Sequence, residues 1–116
     1  MNGKIGSVTA MQGTVITGEH HIIQNCRIAD GIKDLAAGEL MVYGENGLVR
    51  ATDKDAAIDA VLLEDFAAET DGTALNVCVH GEVRAEKLRL GKAAATQAVR
   101  AALNARGIYP AGTFLA

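Results

Sequence analysis

Apolar and polar positions alternate most cleanly between Leu75 and His80. Leu75, Val77 and Val79 fall on one side and Asn76, Cys78 and His80 on the other, the period of a strand with one buried face. Gly81 interrupts that strand where a bulge or tight bend is expected. Upstream, Ala60-Val61-Leu62-Leu63 is an unbroken apolar run, too short for a lone helix and suited to a strand covered on both faces. An acidic connector from Glu64 and the turn pair Asp71-Gly72 join the two. Earlier in the chain, Ile22 to Ile28 reads as a strand ended by Asp30-Gly31. Leu40–Tyr43 and Leu48–Ala51 flank Gly44-Glu45-Asn46-Gly47, where Asn46-Gly47 predicts a type I′ hairpin with positive φ at both central residues. Thr52 to Ala57 reads as a polar loop or one helical turn.

Past Val83, Ala85, Leu88 and Leu90 the period lengthens to 3.6. From Lys92 to Arg106, the residues Ala95, Val99, Ala102 and Arg106, with Ala98 and Leu103 beside them, describe the narrow apolar stripe of a helix. Gly107 is its expected C′ residue, and Pro110 blocks continuation. About six strands and one late helix predict a mostly β fold with one C-terminal helix (α+β), a small β-barrel-like domain over residues 19–116. Residues 1–18 are light in charge, rich in Gly, Ser and Thr, and carry Ile5, Val8, Met11, Val15 and Ile16. They read either as an arm able to add a strand to another sheet edge or as the first hairpin of the domain, split near Gly13.

With 116 residues, 49% hydrophobic, the chain makes one domain with a real core. Two Phe, two Tyr and no Trp mean that Ala, Val, Ile and Leu build this core, which suits close packing better than a large ligand cavity. A net charge of −3 argues against a dedicated nucleic-acid binder. Charge is nonetheless segregated: Asp53 to Asp71 holds seven acidic residues and one basic, Arg84 to Arg106 six basic and one acidic. These are either two solvated surfaces of one subunit or complementary faces between subunits, with Glu64 and Asp65 on one segment and Arg84 and Lys87 on the other. The N-terminal residues lack the apolar core of a signal peptide, and no run approaches the roughly 20 residues that span a bilayer. The expectation is a protein made in the cytosol, without membrane contact.

Candidate chemistry is sparse. Gly91-Lys92 before the expected helix would belong to a phosphate loop only with glycine at 86 and Ser or Thr at 93, which are Glu86 and Ala93; a lone anion at a helix N-terminus is what remains of that idea. The Cys78-x-His80 pair could offer two metal ligands, but no C-x-x-C or spaced histidine pair accompanies it, and His20 and His21 would face opposite sides of a strand. Ser7 is the one serine, so a serine triad has no support. Cys26 and Cys78 read as reduced, packed thiols. No cofactor, metal or catalytic role is expected.

The pieces Ala60-Val61-Leu62-Leu63-Glu64-Asp65, Val79-His80-Gly81-Glu82-Val83, Leu88 and Arg106-Gly107-Ile108-Tyr109, in this order and spacing, resemble the lambda-type phage head decoration proteins over roughly residues 38–112. The resemblance implies a β-tulip fold and a structural subunit that stabilises an expanded capsid on its outer surface. It further implies trimers at three-fold and quasi-three-fold positions, with the major capsid protein and other copies of the chain as partners. An N-terminal arm would add strands to the shell protein beneath; here Ile5, Val8, Met11 and Val15 would make the capsid contact, and Glu64, Asp65, Arg84 and Lys87 the subunit interface. A second function class also fits the pattern, a small β-barrel ligand-binding accessory module.

Overall fold

The computed structural model describes residues 15–53 and 57–115. Eight strands are defined there: β1 (Ile22–Arg27), β2 (Leu40–Gly44), β3 (Gly47–Arg50), β4 (Ala60–Leu62), β5 (Ala74–Arg84), β6 (Arg89–Leu90), β7 (Ala93–Ala94) and β8 (Ile108–Ala111). A short α-helix, Arg100–Arg106, precedes β8. The fold is mostly β with one short C-terminal helix, as the periodicity predicts.

The main sheet runs in the order β1-β5-β4-β2-β3, with antiparallel neighbours throughout, and β8 joins β5 in parallel. It is an open sheet rather than a closed barrel. Its two ends nevertheless approach: Ile28, just past β1, makes an isolated bridge with Leu48 of β3, and Ala29 N donates to Leu48 O at 2.9 Å. A second, two-stranded sheet pairs β6 with β7.

Alternation sorts the core into two clusters. Leu40, Val61, Leu63, Cys78, Val83, Leu88, Val99, Leu103 and Ile108 belong to one. Ile28, Met41, Leu48, Ala60, Leu62, Leu75, Val77 and Val79 belong to the other. Successive residues of β4 therefore enter opposite clusters, which is why its sequence is an unbroken apolar run: both of its faces are covered. Because apolar burial contributes about 25 cal/mol per Å2, this central strand stabilises the sheet strongly for its length.

Four local expectations are revised. First, β5 does not stop at Gly81 but continues to Arg84. The irregularity lies where Ile22 pairs with His80 and Ile23 with Cys78, leaving Val79 as the extra residue. That insertion lets Val79 face one cluster and Val83 the other. Second, the β2–β3 hairpin exists, but Gly44 pairs with Gly47, so the loop is Glu45-Asn46, and neither has positive φ. The positive φ lies at Gly47, at 139°, and packing requires glycine there as well: a Cβ would lie 2.8 Å from Ala29 N and 2.9 Å from Arg27 O.

Third, the apolar stripe beyond Lys92 is only half helical. Ala93–Ala94 is a strand, Gln97–Val99 a 3-10 turn capped by Thr96 Oγ1, and α-helix begins at Arg100. Ala95, Val99 and Leu103 are buried as expected, whereas Ala98 and Arg106 are exposed. Fourth, Val15 and Ile16 belong to the domain and not to an arm. Val15 is 1% exposed within the first cluster, Ile16 bridges to Val83, and Thr17 N donates to Glu82 O at 3.0 Å. Val15 therefore has no face to offer a capsid, because the core already covers it. Ile5, Val8 and Met11 lie outside the described residues.

Candidate functional site

The most distinctive surface gathers where β5, β8 and the helix C-terminus meet. Gly107 ends the helix in the left-handed region at φ 94°, and its N–H reaches the carbonyls of Asn104 and Leu103. Gly81 N then donates to Gly107 O at 3.0 Å, which starts the parallel β5–β8 ladder. The His80 ring lies so close that a Cβ at Gly107 would fall 2.6 Å from His80 Nδ1. His80 in turn meets Tyr109 edge-on, with centroids 6.2 Å apart and planes at 86°.

Ile22, the cross-strand partner of His80, is 50% exposed, and Tyr109 is 48% exposed. Next to Gly107, the exposed Arg106 places its guanidinium over Tyr43, 5.9 Å from the ring centroid, and donates through Nε to Asp59 O at 3.0 Å. Asp59 Oδ2 fixes the same strand end by accepting from Tyr43 N at 2.7 Å. Tyr43 itself is half exposed. Both tyrosines of the chain thus stand on the surface, beside arginine, histidine and isoleucine. Aromatic residues and arginine are enriched in the cores of protein–protein interfaces, where aromatic bodies bury area at little entropic cost. Sequence reasoning overlooked this surface, although Tyr109 stands between the buried Ile108 and Pro110 and is outward-facing by alternation.

The charged residues singled out in the sequence occupy unequal positions. Glu64 is half-buried, and its Oε2 accepts from Asn76 N at 2.7 Å. Asp65 Oδ1 accepts from Ala37 N at 2.8 Å. Glu64 therefore holds a loop to the sheet, and Asp65 holds one loop to another. Arg84, at the end of β5, and Lys87, in the 3-10 turn Ala85–Lys87, are exposed, and neither side chain forms an ion pair among the described residues. Asp65 and Lys87 line one groove of about 440 Å3 within the subunit, floored by Val15, Ala37, Leu88 and Ala94. Glu64 and Arg84 are not part of it.

The reactive side chains are dispersed. Cys78 is buried in the core, its Sγ donating to His80 O at 3.2 Å, while the His80 ring turns outward to Tyr109. Cys26 stands half-buried on β1, and both thiols are free. Burial pushes each thiol above its ordinary pKa. His21 Nε2 lies 2.5 Å from Thr17 O and 3.1 Å from Glu82 O, tying the segment before β1 to β5. Gly91-Lys92 forms the turn between β6 and β7 instead of preceding a helix, and Lys92 Nζ donates to Asp34 O. Among the described residues no three His, Cys, Asp or Glu side chains converge as a metal site would require, and no helix is long and apolar enough to cross a membrane.

Compared with protein-family models and with curated proteins, the chain finds no match among either.

Proposed function

We propose that the protein is a structural capsid-decoration subunit that binds the outer surface of an expanded phage head and holds that lattice in place. One observation carries the reading. The sequence pieces that resemble the lambda-type decoration proteins are scattered from Ala60 to Tyr109, yet three of them converge on one node of the fold. Val61 and Leu62 pair with Cys78 and Val77, Gly81 bonds Gly107, and Ile108 to Ala111 run beside Gly81 to Arg84. That the resembling pieces pack around one strand supports reading them as a single structural motif. The finer fold in this proposal is the β-tulip, in keeping with a sheet whose ends meet at Ile28 and Leu48.

In this reading the protein does no chemistry. A subunit that binds the expanded lattice and not its precursor shifts the equilibrium by mass action, and bridging several shell subunits adds avidity. Three copies form a ring, the residues before Val15 reach the shell protein, and the exposed tyrosine surface or the Asp65–Lys87 groove supplies contacts between copies. The test is co-sedimentation with expanded and unexpanded shells of the major capsid protein, combined with light scattering for oligomer mass. Selective pelleting with expanded shells is expected. Deleting residues 1–13 leaves Val15 in place, so the variant should fold and lose shell binding. A protein that ignores both shells refutes the proposal and would favour the ligand-binding accessory module.

A further inference from the structure

β1 is an edge strand whose one irregularity, the register shift between Ile22 and Ile23, lies at its start. From Ile22 to Cys26 it has no charge and no proline, and every residue but Cys26 is exposed. In an antiparallel ladder alternate residues turn their N–H and C=O groups to the neighbour. Ile28 N donates to Thr73 O, so Ile28, Cys26 and Gln24 face β5, and Ile23, Asn25 and Arg27 point away. The outer side of Arg27 is closed by β3, since Gly47 packs on Arg27 O. Among the described residues nothing covers the outward groups of Ile23 and Asn25.

We infer that this edge pairs with β1 of a second copy, antiparallel, about a two-fold axis through Gln24. That register alone satisfies both copies. Side chains of opposed residues must lie on the same face, and Ile23 opposite the partner's Asn25 does so while placing all four free groups of each strand in bonding position. The result is four new hydrogen bonds, with Ile22 against the partner copy's Cys26 on one face and Ile23 against its Asn25 on the other. The edge is uncharged from Ile22 to Cys26, so two identical strands meet without repulsion. Four hydrogen bonds and a short ladder place this at the weak end of protein interfaces, an association that shows only at high concentration. The contact is isologous and so differs in symmetry from the heterologous contact that closes a three-fold ring.

The axis gives a specific test, because the two Gln24 side chains would stand about 4.5–5.5 Å apart. Gln24 is exposed, so Gln24→Lys and Gln24→Glu keep the fold, which circular dichroism verifies. Sedimentation velocity of the full chain over a wide concentration range should show the mass of wild type doubling. Each variant alone should need about tenfold or more higher concentration, because like charges meet at the axis, and an equimolar mixture should associate at least as readily as wild type. Hydrogen exchange at Ile23 and Asn25 should slow with concentration while that of Gln24 does not. Wild type of constant mass up to millimolar concentration overturns the inference, as do single variants that associate like wild type or a mixture no better than its components. None of these readouts involves a capsid, so failure here leaves the decoration reading standing, and the reverse.

Discussion

The Glu39–Arg50 pair offers the sharpest energetic test of how the fold is held. Glu39 is completely buried, with Oε1 2.5 Å from Arg50 Nε and Oε2 accepting from Ala36 N at 2.7 Å and from Arg50 Nη2 at 3.3 Å. Arg50 is one-fifth exposed and also donates through Nη2 to the carbonyls of Lys33 and Asp34 at the rim. Arg50→Met preserves the aliphatic stem and strands the carboxylate, and removing one partner of a buried pair costs about 3–5 kcal/mol. Partial exposure of Arg50 argues for the lower half of that range, since water can enter where the guanidinium was. With a urea m-value of about 1–3 kcal/mol/M, a loss of about 3 kcal/mol moves the unfolding midpoint down by about 1–3 M.

The decisive comparison is with the double variant. Glu39→Gln in the Arg50→Met background removes the charge but keeps an oxygen for Ala36 N, so the double variant should recover most of the loss and stand within about 1–2 kcal/mol of wild type, near the net contribution of the hydrogen bonds removed. A second substitution that improves on the first is a sign no simple loss of packing can produce. If Arg50→Met costs less than about 1 kcal/mol, or if the double variant is worse than the single one, the carboxylate is not isolated by the loss of its partner and the reasoning fails.

Three further outcomes are expected. Gly38 sits at φ 96° with the position of a Cβ only 1.9 Å from Lys87 O, so Gly38→Ala must move backbone and should cost about 3 kcal/mol or more in urea melts, whereas the exposed Gly31→Ala, with nothing near it, should lose only the roughly 1–2 kcal/mol of left-handed strain. Leu103→Ala should cost about 2–5 kcal/mol, because Leu103 is fully buried in the first cluster; a change under about 0.5 kcal/mol would contradict that placement. Burial raises the Cys78 thiol above its ordinary value, so the folded chain holds a proton that the unfolded chain releases; this stabilisation is complete below the ordinary thiol pKa and is lost as pH rises through the raised one. Comparing pH–stability profiles of wild type and Cys78→Ala should therefore show a shallower alkaline decline in the variant.

What the sequence revealed of the fold follows from which patterns have a single physical cause. The period-2 run from Leu75 and the apolar run from Ala60 could satisfy their burial only in strands, and both lie at the centre of the sheet. Gly107 was legible because a helix stop in the left-handed region followed by a strand needs glycine. Asn46-Gly47 misled only on where the loop sits: Gly47, at φ 139° and too close to β1 for a Cβ, pairs with Gly44 and closes the hairpin instead of standing at its centre. The stripe beyond Lys92 misled for a related reason: a short strand at Ala93–Ala94 leading into buried Ala95, and a 3-10 turn after Thr96, put inward the same Ala95 and Val99 that a longer helix would have. At the tyrosine surface, Tyr109 could have been placed outward by alternation with Ile108 and Pro110, but Tyr43 follows three apolar residues and only the pairing of β2 decides its exposure.

Charge shows where sequence reasoning runs out. A cluster of acids from Asp53 to Asp71 looks like a surface waiting for a cationic partner, but a carboxylate is also the best acceptor for a backbone N–H that a loop has left over. Glu64 bonds Asn76 N, Asp65 bonds Ala37 N and Asp59 bonds Tyr43 N, each closing a chain segment onto a strand or loop. Their charge remains, yet their geometry is already committed to this subunit. Arg100 and Arg106 are committed likewise, to Pro110 O and Phe114 and to Asp59 O and Tyr43. Among the described residues of the basic segment, what is left for an outside partner is narrower than the segregation suggested: Arg84 and Lys87, both exposed and neither in an ion pair. Exposed pairs contribute about 0–1 kcal/mol each, so these charges can set register between copies but cannot hold them together. Among the described residues, association beyond what such charges provide rests on exposed apolar side chains, at Ile22, Ile23, Tyr43, Tyr109 and Leu115.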